Sequence, residues 1–516
     1  MHDGLGILRI MAVLWFCATT CPAFDAQAGQ KDDVNPMATA EPNAETAATW
    51  WPPLRNVWTP VGWKSHPFRF AVLYNGTVVA DPHPLPMILN TPIKRYLKPY
   101  EGLGVQLTIT PSADGSMPER PERPYTLSSQ PDGGVGIQGW ADHPTPVLWT
   151  KYPANSYYGN HGIVLRQETF AHMAGDGDVA TGKEPLFAWI RISVSHVDEL
   201  SAPDFFHMMV HLGAANQIGR SMFHEDNLTV YPDRALYPRG LRSELFQAGA
   251  QSGYYILEDD GLVRLVAQTE TGALELMERT PGEHDYYLKV TLPAKAGCHA
   301  DVLLPMIPGE RAAVEAERSL GYEGALDRSD AYWAITPNTA AHIDTPETRV
   351  NNAISQQIRF AQVISETNPE TGERSMLTGS WNYDTLWPTP VSMTSHMLMS
   401  VMGYHEFVAD NLTIFRNHQG KSKAPGDSYP LHPGYYGAPR ELSSVDWLTD
   451  HGAVLHSVCT HALLSGDRTF ADDWLASILL ACDFIKDSRA LRNHGGVHGV
   501  LPPAVATDAE VPGQAV

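Results

Sequence analysis

Apolar and polar residues alternate along the first part of the chain. In the segment FRFAVLYNGTVVA, Phe68, Phe70 and Val72 occupy every second position before an Asn-Gly pair. A period of two indicates a strand with one buried face, and Asn-Gly is a strong hairpin signal. Similar runs, among them LFAWIRISVSHV and DYYLKVTLPA, recur up to about residue 308. Many short strands with turn signals and no helices between them predict an antiparallel β-sandwich.

The period changes in the second part of the chain. Residues 309–334 have helical composition, interrupted by Gly321 and Gly324, and we expect a linker helix there. Thr345-Pro346 is typical of a helix start, with Thr as the N-cap and Pro at the first helical position. Apolar residues at helical spacing predict a helix that begins there. The same pattern predicts further helices at about 388–402, 404–418, 450–465 and 469–487.

Long and short connections alternate between these five helices. The long ones contain SWNYDTLWPT (380–389), GKSKAPGDSYPLHPGYYGAPRELSSVDWLTDHG and RNHGGVHGVLPPAVATDAEVPGQAV. In a ring of helical hairpins this alternation places every long loop at one end, where binding residues usually stand. The loops combine aromatic rings, carboxylates and amides. Rings stack on the apolar faces of sugars, and glycoside hydrolysis needs a pair of carboxyl groups.

The composition and the N-terminus narrow the class of protein. A formal net charge of −22 opposes nucleic acid or an anionic membrane surface as a partner. Arg9, an apolar run and Ala26-Gln27-Ala28 predict a signal peptide over residues 1–28, followed by a flexible linker over 29–50. We therefore expect a secreted or periplasmic protein that leaves the membrane once the signal peptide is cleaved.

The cysteines and histidines predict no cofactor and no metal. Cys298, Cys459 and Cys482 remain after the signal peptide, odd in number and widely spaced, which implies neither a disulfide framework nor a zinc motif. We expect Cys459 and Cys482 to lie in the helical core. The segment HGGVHG (494–499) favours a flexible loop over a metal site, because no carboxylate motif accompanies it, and HEDN (224–227) favours a polar turn over a calcium site.

The helical part of the chain resembles a known family. WNYDTLW, WLTDHGAVLHSVCTHALLSGDRTF and GVLPPAVATDAE are similar to segments of the six-hairpin glycosidases, whose catalytic domain is an (α/α)6 toroid. Glucoamylase-like and glucosidase-I-like members often carry an N-terminal β-sandwich. The resemblance implies a multidomain α and β protein. Its parts would be a β-sandwich over 51–308, a linker helix region over 309–344 and the first five or so toroid helices over 345–516.

The resemblance also implies roles for individual residues. Asp384, with Trp381 and Trp387, would bind the sugar just before the scissile bond. In this family the general acid follows the fifth helix, where this chain has Asp508 and Glu510, and spacing does not choose between them. The acid would need a partly enclosed site that raises its pKa toward neutral. The neighbouring part of the cleft and the same loops supply six further candidates: Tyr383, Tyr435, Tyr436, Trp447, Asp450 and His451.

Each of these assignments has a structural alternative. Asp384 or Thr385 could cap the helix that begins near Pro388, with the surrounding rings as ordinary core. Asp450 and His451 could equally mark a helix start that the helix dipole favours. Asp508 and Glu510 could be solvated turn residues. All three long loops combine aromatic rings with carboxylates, and this agreement favours a sugar-binding role over the structural alternatives.

The general base of the family lies near the last hairpin, and this sequence departs from the family there. We expect the second carboxylate beyond residue 516, and we expect apolar inner-helix faces to be uncovered. The 516-residue product is then expected not to hydrolyse glycosides, whereas a C-terminally extended one would. The leading interpretation is an inverting glycoside hydrolase for a neutral oligosaccharide or polysaccharide.

Three other functions compete with it. Export disfavours a phosphorylase on the same scaffold. A polysaccharide lyase would need a Tyr or His base, which Tyr435, Tyr436, His451 or His494 could provide. The negative charge and the sandwich-first order count against a lyase. A non-catalytic carbohydrate-binding protein is the third alternative.

Overall fold

The computed structural model describes residues 58–73, 76–81, 104–112, 114–117, 137–152, 163–197, 203–215, 236–237, 239–380, 386–437 and 447–505. All of these residues belong to one compact unit, Asn43–Val516. The strands come first in the sequence and the helices follow, as the change of period predicts.

Two large antiparallel sheets form the first part. One sheet has the strand order β1 (Trp58–Gly62), β2 (Arg69–Leu73), β3 (Val78–Ala80), β4 (Val105–Ser112), β9 (Phe205–Ala214), β14 (Tyr286–Pro293) and β13 (Ala273–Glu278). The other has the order β10 (Leu241–Ala248), β11 (Gln251–Glu258), β12 (Val263–Thr269), β15 (His299–Pro305), β8 (Leu186–Val197), β7 (Ile163–Met173), β6 (Leu148–Tyr152) and β5 (Ile137–Trp140). The prediction of large antiparallel sheets is confirmed.

The two sheets share one apolar core. Val72 and Leu288 of the first sheet belong to the same buried cluster as Ile190 and Val302 of the second. The first half of strand β8, residues 186–190, is buried on both faces, because its alternate residues Phe187 and Trp189 pack on the opposite side, against the helices that follow the strands. This explains why LFAWI is continuously apolar, whereas the rest of the strand alternates.

The predicted linker helix is two helices, α1 (Arg311–Arg318) and α2 (Gly321–Trp333). Gly321, with φ of 70°, lies at the junction, whereas Gly324 lies inside α2 and does not interrupt it. Val314 of α1 and Tyr322 of α2 belong to the same buried cluster as Trp189, so both helices cover the outer face of the second sheet.

Five helices follow, close to the predicted positions: α3 (Thr348–Val363), α4 (Pro388–Met393), α5 (His405–Asn417), α6 (Leu448–Ser465) and α7 (Arg468–Ala490). A π-helical turn, Thr394–Met399, continues α4. The predicted start of α3 is wrong, because Glu347 rather than Thr345 is the N-cap. The hydroxyl of Thr345 donates instead to Asn351 Oδ1 (2.8 Å).

Two further features of the helical part differ from the expectations. A short hairpin of strands β16 (Ser365–Thr367) and β17 (Arg374–Met376) lies in the connection between α3 and α4. Cys459 is half-buried and Cys482 is exposed, so the expected core position of Cys482 is wrong. None of the helices within the described part of the chain has the length and apolar character needed to cross a membrane.

Candidate functional site

The carboxylate of Asp450 joins two of the long loops. Asp450 lies in the first turn of α6, where its Oδ2 accepts a hydrogen bond from the backbone N–H of Trp447 (3.0 Å). Its Oδ1 accepts from the backbone N–H of Thr389 (3.0 Å) and from the Thr389 hydroxyl (2.7 Å). A side chain that binds back to the N-cap residue satisfies an orphan donor of the helix start. Asp450 is therefore a helix cap, and the same carboxylate ties α6 to the start of α4.

The third long loop reaches the same place. The backbone N–H of Leu448, at the start of α6, donates to the carbonyl of Val505 (2.8 Å). The Tyr429 hydroxyl, from the second loop, donates to the carbonyl of Pro502 (2.8 Å). The described ends of the three loops thus meet beside the N-terminus of α6.

Two indoles stand at this meeting point. The rings of Trp387 and Trp447 lie 5.2 Å apart between centroids, at an interplanar angle of 47°. Each side chain retains 7% of its surface exposed. Trp387 ends the first loop and Trp447 ends the second, so the Asp450 carboxylate holds the segments that carry both rings.

Tyr435 and Tyr436 of the second loop belong to buried clusters of the helical part. Both rings are fully buried, and the Tyr435 hydroxyl donates to the Trp447 carbonyl (3.4 Å). The Tyr436 hydroxyl shares a hydrogen bond with Ser477 Oγ (2.6 Å), and burial raises the pKa of Tyr436 to about 12. These rings support the site as core residues in this structure. Direct contact of either ring with a sugar stays a prediction.

His451 is a neutral, fully engaged imidazole. Its Nδ1 accepts from the Tyr436 backbone N–H (3.1 Å), which leaves Nε2 to donate to the carbonyl of Ala481 (3.1 Å). Tyr435 stacks on the ring at 5.7 Å. Burial lowers the pKa of His451 to about 4, because the charged form would lose its hydration. The ring fastens the second loop to α7 and has no free nitrogen for a substrate.

The remaining candidates lie outside the described residues: Trp381, Tyr383, Asp384, Asp508 and Glu510. Their sequence neighbours are placed, since Leu386 and Trp387 follow the first group and Val505 precedes the second. Thr389 is a site residue that the sequence pattern does not indicate. No local signal indicates its role, because its hydroxyl donates to Asp450, 61 positions away in the chain.

No metal site is formed by the residues that the structure describes, since no three His, Cys, Asp or Glu side chains are grouped to hold an ion. The rings of His494 and His498 lie 5.0 Å apart between centroids. Both nitrogens of His494 are engaged by its own loop, Nδ1 with the Gly496 N–H (3.2 Å) and Nε2 with the Leu491 carbonyl (3.3 Å).

Comparisons with known proteins find structural likeness and no sequence relative. No protein-family model matches the chain, and no curated protein matches it. A bacterial glucoamylase solved in complex with acarbose is 8% identical, with 88% of this chain and 72% of that one covered and a TM-score of 0.41.

Two further solved structures are similar. A putative kojibiose phosphorylase from the human microbiome is 9% identical, with 86% of this chain and 63% of that one covered and a TM-score of 0.33. An inverting mannosidase of family GH92 from Bacteroides thetaiotaomicron is 9% identical, with 83% and 60% covered and a TM-score of 0.26.

These three proteins are members of the six-hairpin glycosidase superfamily, the family that the sequence motifs resemble. The chain spans less than two thirds of the length of the phosphorylase and of the mannosidase. At these TM-scores the likeness assigns neither an activity nor a substrate to this chain.

Proposed function

We propose that this protein is an exported, inverting glycoside hydrolase that acts on a neutral oligosaccharide or polysaccharide. The observation that carries the proposal is the meeting of three loops beside the N-terminus of α6, where the Asp450 carboxylate joins two of them. Asp450 binds Thr389 of the first loop and Trp447 of the second, and Leu448 binds Val505 of the third.

The loops that meet there lead directly to the candidate carboxylates. In the sequence, Asp384 stands five residues before Thr389, and Asp508 stands three residues after Val505. Because a chain extends by at most about 3.6 Å per residue, we expect both carboxylates within reach of the Trp387–Trp447 pair. Rings beside carboxylates suit a sugar, which offers apolar faces to the indoles and hydroxyl groups to the acids.

The reaction assigned to this site is acid-assisted hydrolysis. Asp508 or Glu510 would protonate the leaving glycosidic oxygen, and a second carboxyl group would activate water on the opposite face of the sugar. For the acid to remain protonated near neutral pH its pKa must be raised, which a site enclosed by indole rings favours.

Binding of neutral sugars tests the proposal on the chain itself. Neutral oligosaccharides of α and β linkage are titrated into the 516-residue protein, with tryptophan fluorescence and calorimetry as readouts. We expect at least one to bind, and we expect Trp447→Ala to weaken that binding about tenfold, or ~1.4 kcal/mol. Trp140→Phe, in strand β5 of the sandwich, is the matched control and should bind normally. Absence of binding across the panel would overturn the proposal.

Turnover is measured on the full-length protein. We expect release of reducing ends to be lost in either Asp508→Asn or Glu510→Gln, and the variant that loses it identifies the acid. Sugar binding with no turnover in the unaltered product would instead support a non-catalytic carbohydrate-binding protein.

The described geometry counts against a lyase that uses the candidate bases. Both nitrogens of His451 and of His494 are bonded within the protein, and Tyr435 and Tyr436 are buried. A uronate polymer cleaved to an unsaturated product that absorbs in the ultraviolet would nevertheless establish the lyase.

A further inference from the structure

Two half-buried cations lie where the sandwich meets the helices. Lys64 belongs to the turn between β1 and β2, and Arg359 lies in the C-terminal half of α3. The backbone N–H of Ser65 donates to the carbonyl of Gln362 (2.9 Å), which fixes this turn against α3. Arg359 precedes Gln362 by about one helical turn, so both lie on the same side of α3. The turn and the helix therefore bring the two cations to one junction.

The ammonium group of Lys64 rests on aromatic rings of α2. Its Nζ lies 4.5 Å from the ring centroid of Tyr332 and 5.1 Å from that of Trp333. It donates a long hydrogen bond to the carbonyl of Ile335 (3.5 Å). The indole N–H of Trp333 is buried and makes no hydrogen bond. This junction is thus rich in hydrogen-bond donors that lack a good acceptor.

The guanidinium of Arg359 forms no hydrogen bond and no ion pair with any residue that the structure describes. Burial lowers its pKa, against the attraction of Tyr404 and Asp330. Burial also lowers the pKa of Lys64 to about 8, and the charge of Arg359 acts in the same direction. Each cation is therefore partly desolvated, and each is close enough to repel the other.

The carboxylates nearest to this junction are engaged elsewhere. Asp178 Oδ1 accepts from the Tyr332 hydroxyl (2.8 Å). The two oxygens of Asp330 bind His143 Nδ1 (3.0 Å) and the Thr145 backbone N–H (3.0 Å). Within the described part of the chain neither acid forms an ion pair with either cation. In a chain whose formal net charge is −22, a pair of cations without acidic partners is a local exception.

We propose that this junction binds a small oxyanion, which Lys64 and Arg359 hold between them. An anion there would replace the repulsion of two partly desolvated cations by two attractions. The planar fork of Arg359 suits two oxygens of a carboxylate, phosphate or sulfate group, and Lys64 adds a point charge. Because the anion would contact both the sandwich turn and α3, its binding should stabilise the folded protein.

The site is separate from the sugar site proposed above. None of its residues belongs to the three long loops, so an anion here is not a reactant of the proposed hydrolysis. The inference does not depend on the proposed function, and the absence of sugar binding would leave it unaffected.

Calorimetric titration of the 516-residue protein tests the binding directly. Sodium sulfate, phosphate and acetate are titrated separately in a chloride buffer of constant ionic strength. We expect about one equivalent of at least one of them to bind, and Arg359→Gln and Lys64→Gln each to weaken that binding about tenfold. Tighter binding of sulfate or phosphate would identify a tetrahedral group as the ligand, and tighter binding of acetate would identify a carboxylate; either result supports the site.

Thermal unfolding supplies a second, independent measurement. In chloride, Arg359→Gln should have a Tm equal to or above that of the wild type, because the substitution removes an unpaired charge. In sulfate the wild type should gain more in Tm than this variant does. Sulfate also stabilises proteins by exclusion from their surface, so the comparison needs a control variant.

Arg416→Gln is the matched control. Arg416 of α5 is also half-buried and lies over an aromatic ring, that of Trp474, at 5.1 Å. It also donates to a backbone carbonyl, that of Asp473, at 3.3 Å. This variant should bind the anion as the wild type does and should gain as much in Tm from sulfate.

Three results would overturn the proposal. The first is that none of the three anions binds to the wild type. The second is that Arg359→Gln and Lys64→Gln bind as tightly as the wild type, and the third is that Arg416→Gln loses as much affinity as they do. If Lys64→Gln does not fold, Arg359→Gln alone decides.

Discussion

Thr389 and Asp450 are joined by two hydrogen bonds, because the backbone N–H and the hydroxyl of Thr389 both donate to Asp450 Oδ1. The opposite oxygen of the same carboxylate caps α6 through Trp447. A single buried side chain therefore fixes the start of α4 relative to the start of α6.

Replacement of this carboxylate should destabilise the helical part. In Asp450→Asn one oxygen becomes an amide NH2 that faces a donor, and we expect a loss of about 1–3 kcal/mol in the free energy of unfolding. Thr389→Val removes only the hydroxyl donor and should cost about 1 kcal/mol. Urea unfolding measures both. In a double-mutant cycle the two losses should be less than additive, and strict additivity would contradict the shared bond.

His451 should make the protein less stable in acid. Its ordinary pKa of 6.5 applies in the unfolded chain, while burial lowers it to about 4 in the fold. Between these values the unfolded state binds a proton that the folded state does not, so stability falls as pH falls from 6.5 to 4. The full loss is on the order of 3 kcal/mol.

The pH dependence of the unfolding free energy tests this, with His451→Gln for comparison. The variant should lose a large part of the slope in that window and keep the part due to His461, whose pKa burial also lowers to about 4. A variant with the same slope as the wild type would show that His451 is not the titrating group.

The contribution of His172 to stability should change with pH in the opposite direction. Burial alone would lower its pKa, but hydrogen bonds from its two nitrogens to Glu317 Oε1 (2.8 Å) and Asp176 Oδ1 (2.7 Å), with the charges of both acids, raise it overall. The folded state then holds a proton that the unfolded state releases. The stabilisation is complete below the ordinary pKa of 6.5 and is lost as pH rises through the raised value.

The unfolding free energy at neutral and alkaline pH measures this effect. His172→Gln should be less stable than the wild type at pH below 6.5, and the difference should shrink as pH rises. A difference that stays constant with pH would mean that His172 contributes through packing alone.

Helix α7 leaves a leucine face uncovered, which should cause self-association. Its buried stripe includes Trp474 and Phe484, whereas Leu475 and Leu479 are 53% and 56% exposed. Adjacent exposed apolar side chains favour association. We expect the apparent molar mass of the 516-residue protein, measured by light scattering, to rise with concentration. The double variant Leu475→Gln with Leu479→Gln should reduce that rise.

The control for this prediction is Leu245→Gln in strand β10, where the leucine is 66% exposed but is separated in sequence from the face on α7. This control should have the same apparent molar mass as the wild type. If the wild type has an apparent molar mass as low as that of the double variant, the leucine face of α7 does not cause self-association.

The helices and strands were predictable because their signals are local. The period of α6 and α7 depends on neighbours three and four residues away, and the observed bounds, Leu448–Ser465 and Arg468–Ala490, lie within a few residues of the expected ones. The hairpin of β16 and β17 was missed, because three-residue strands carry no usable alternation.

The roles of the candidate residues were predictable only in part. Spacing along the chain indicated that the loops holding Trp387, Trp447 and Asp450 share one end of the helices, and their described parts do meet there. It could not separate Trp447 from Tyr435, since both stand in one aromatic loop. Which ring is enclosed depends on what packs against it, and Phe484 of α7 lies 5.1 Å from Tyr435.

By itself the sequence determined the order of sheets and helices and the chemical composition of the loops, since both follow from residue types at short separations. Only the tertiary structure decided that Asp450 caps α6 and binds Thr389 of α4, that the neutral His451 ring links the second loop to α7, and that Arg69 binds the carbonyl of Ser380. These roles come from contacts between residues that are distant in the chain. Hydrogen bonds and burial depend on position in space, which no local pattern encodes.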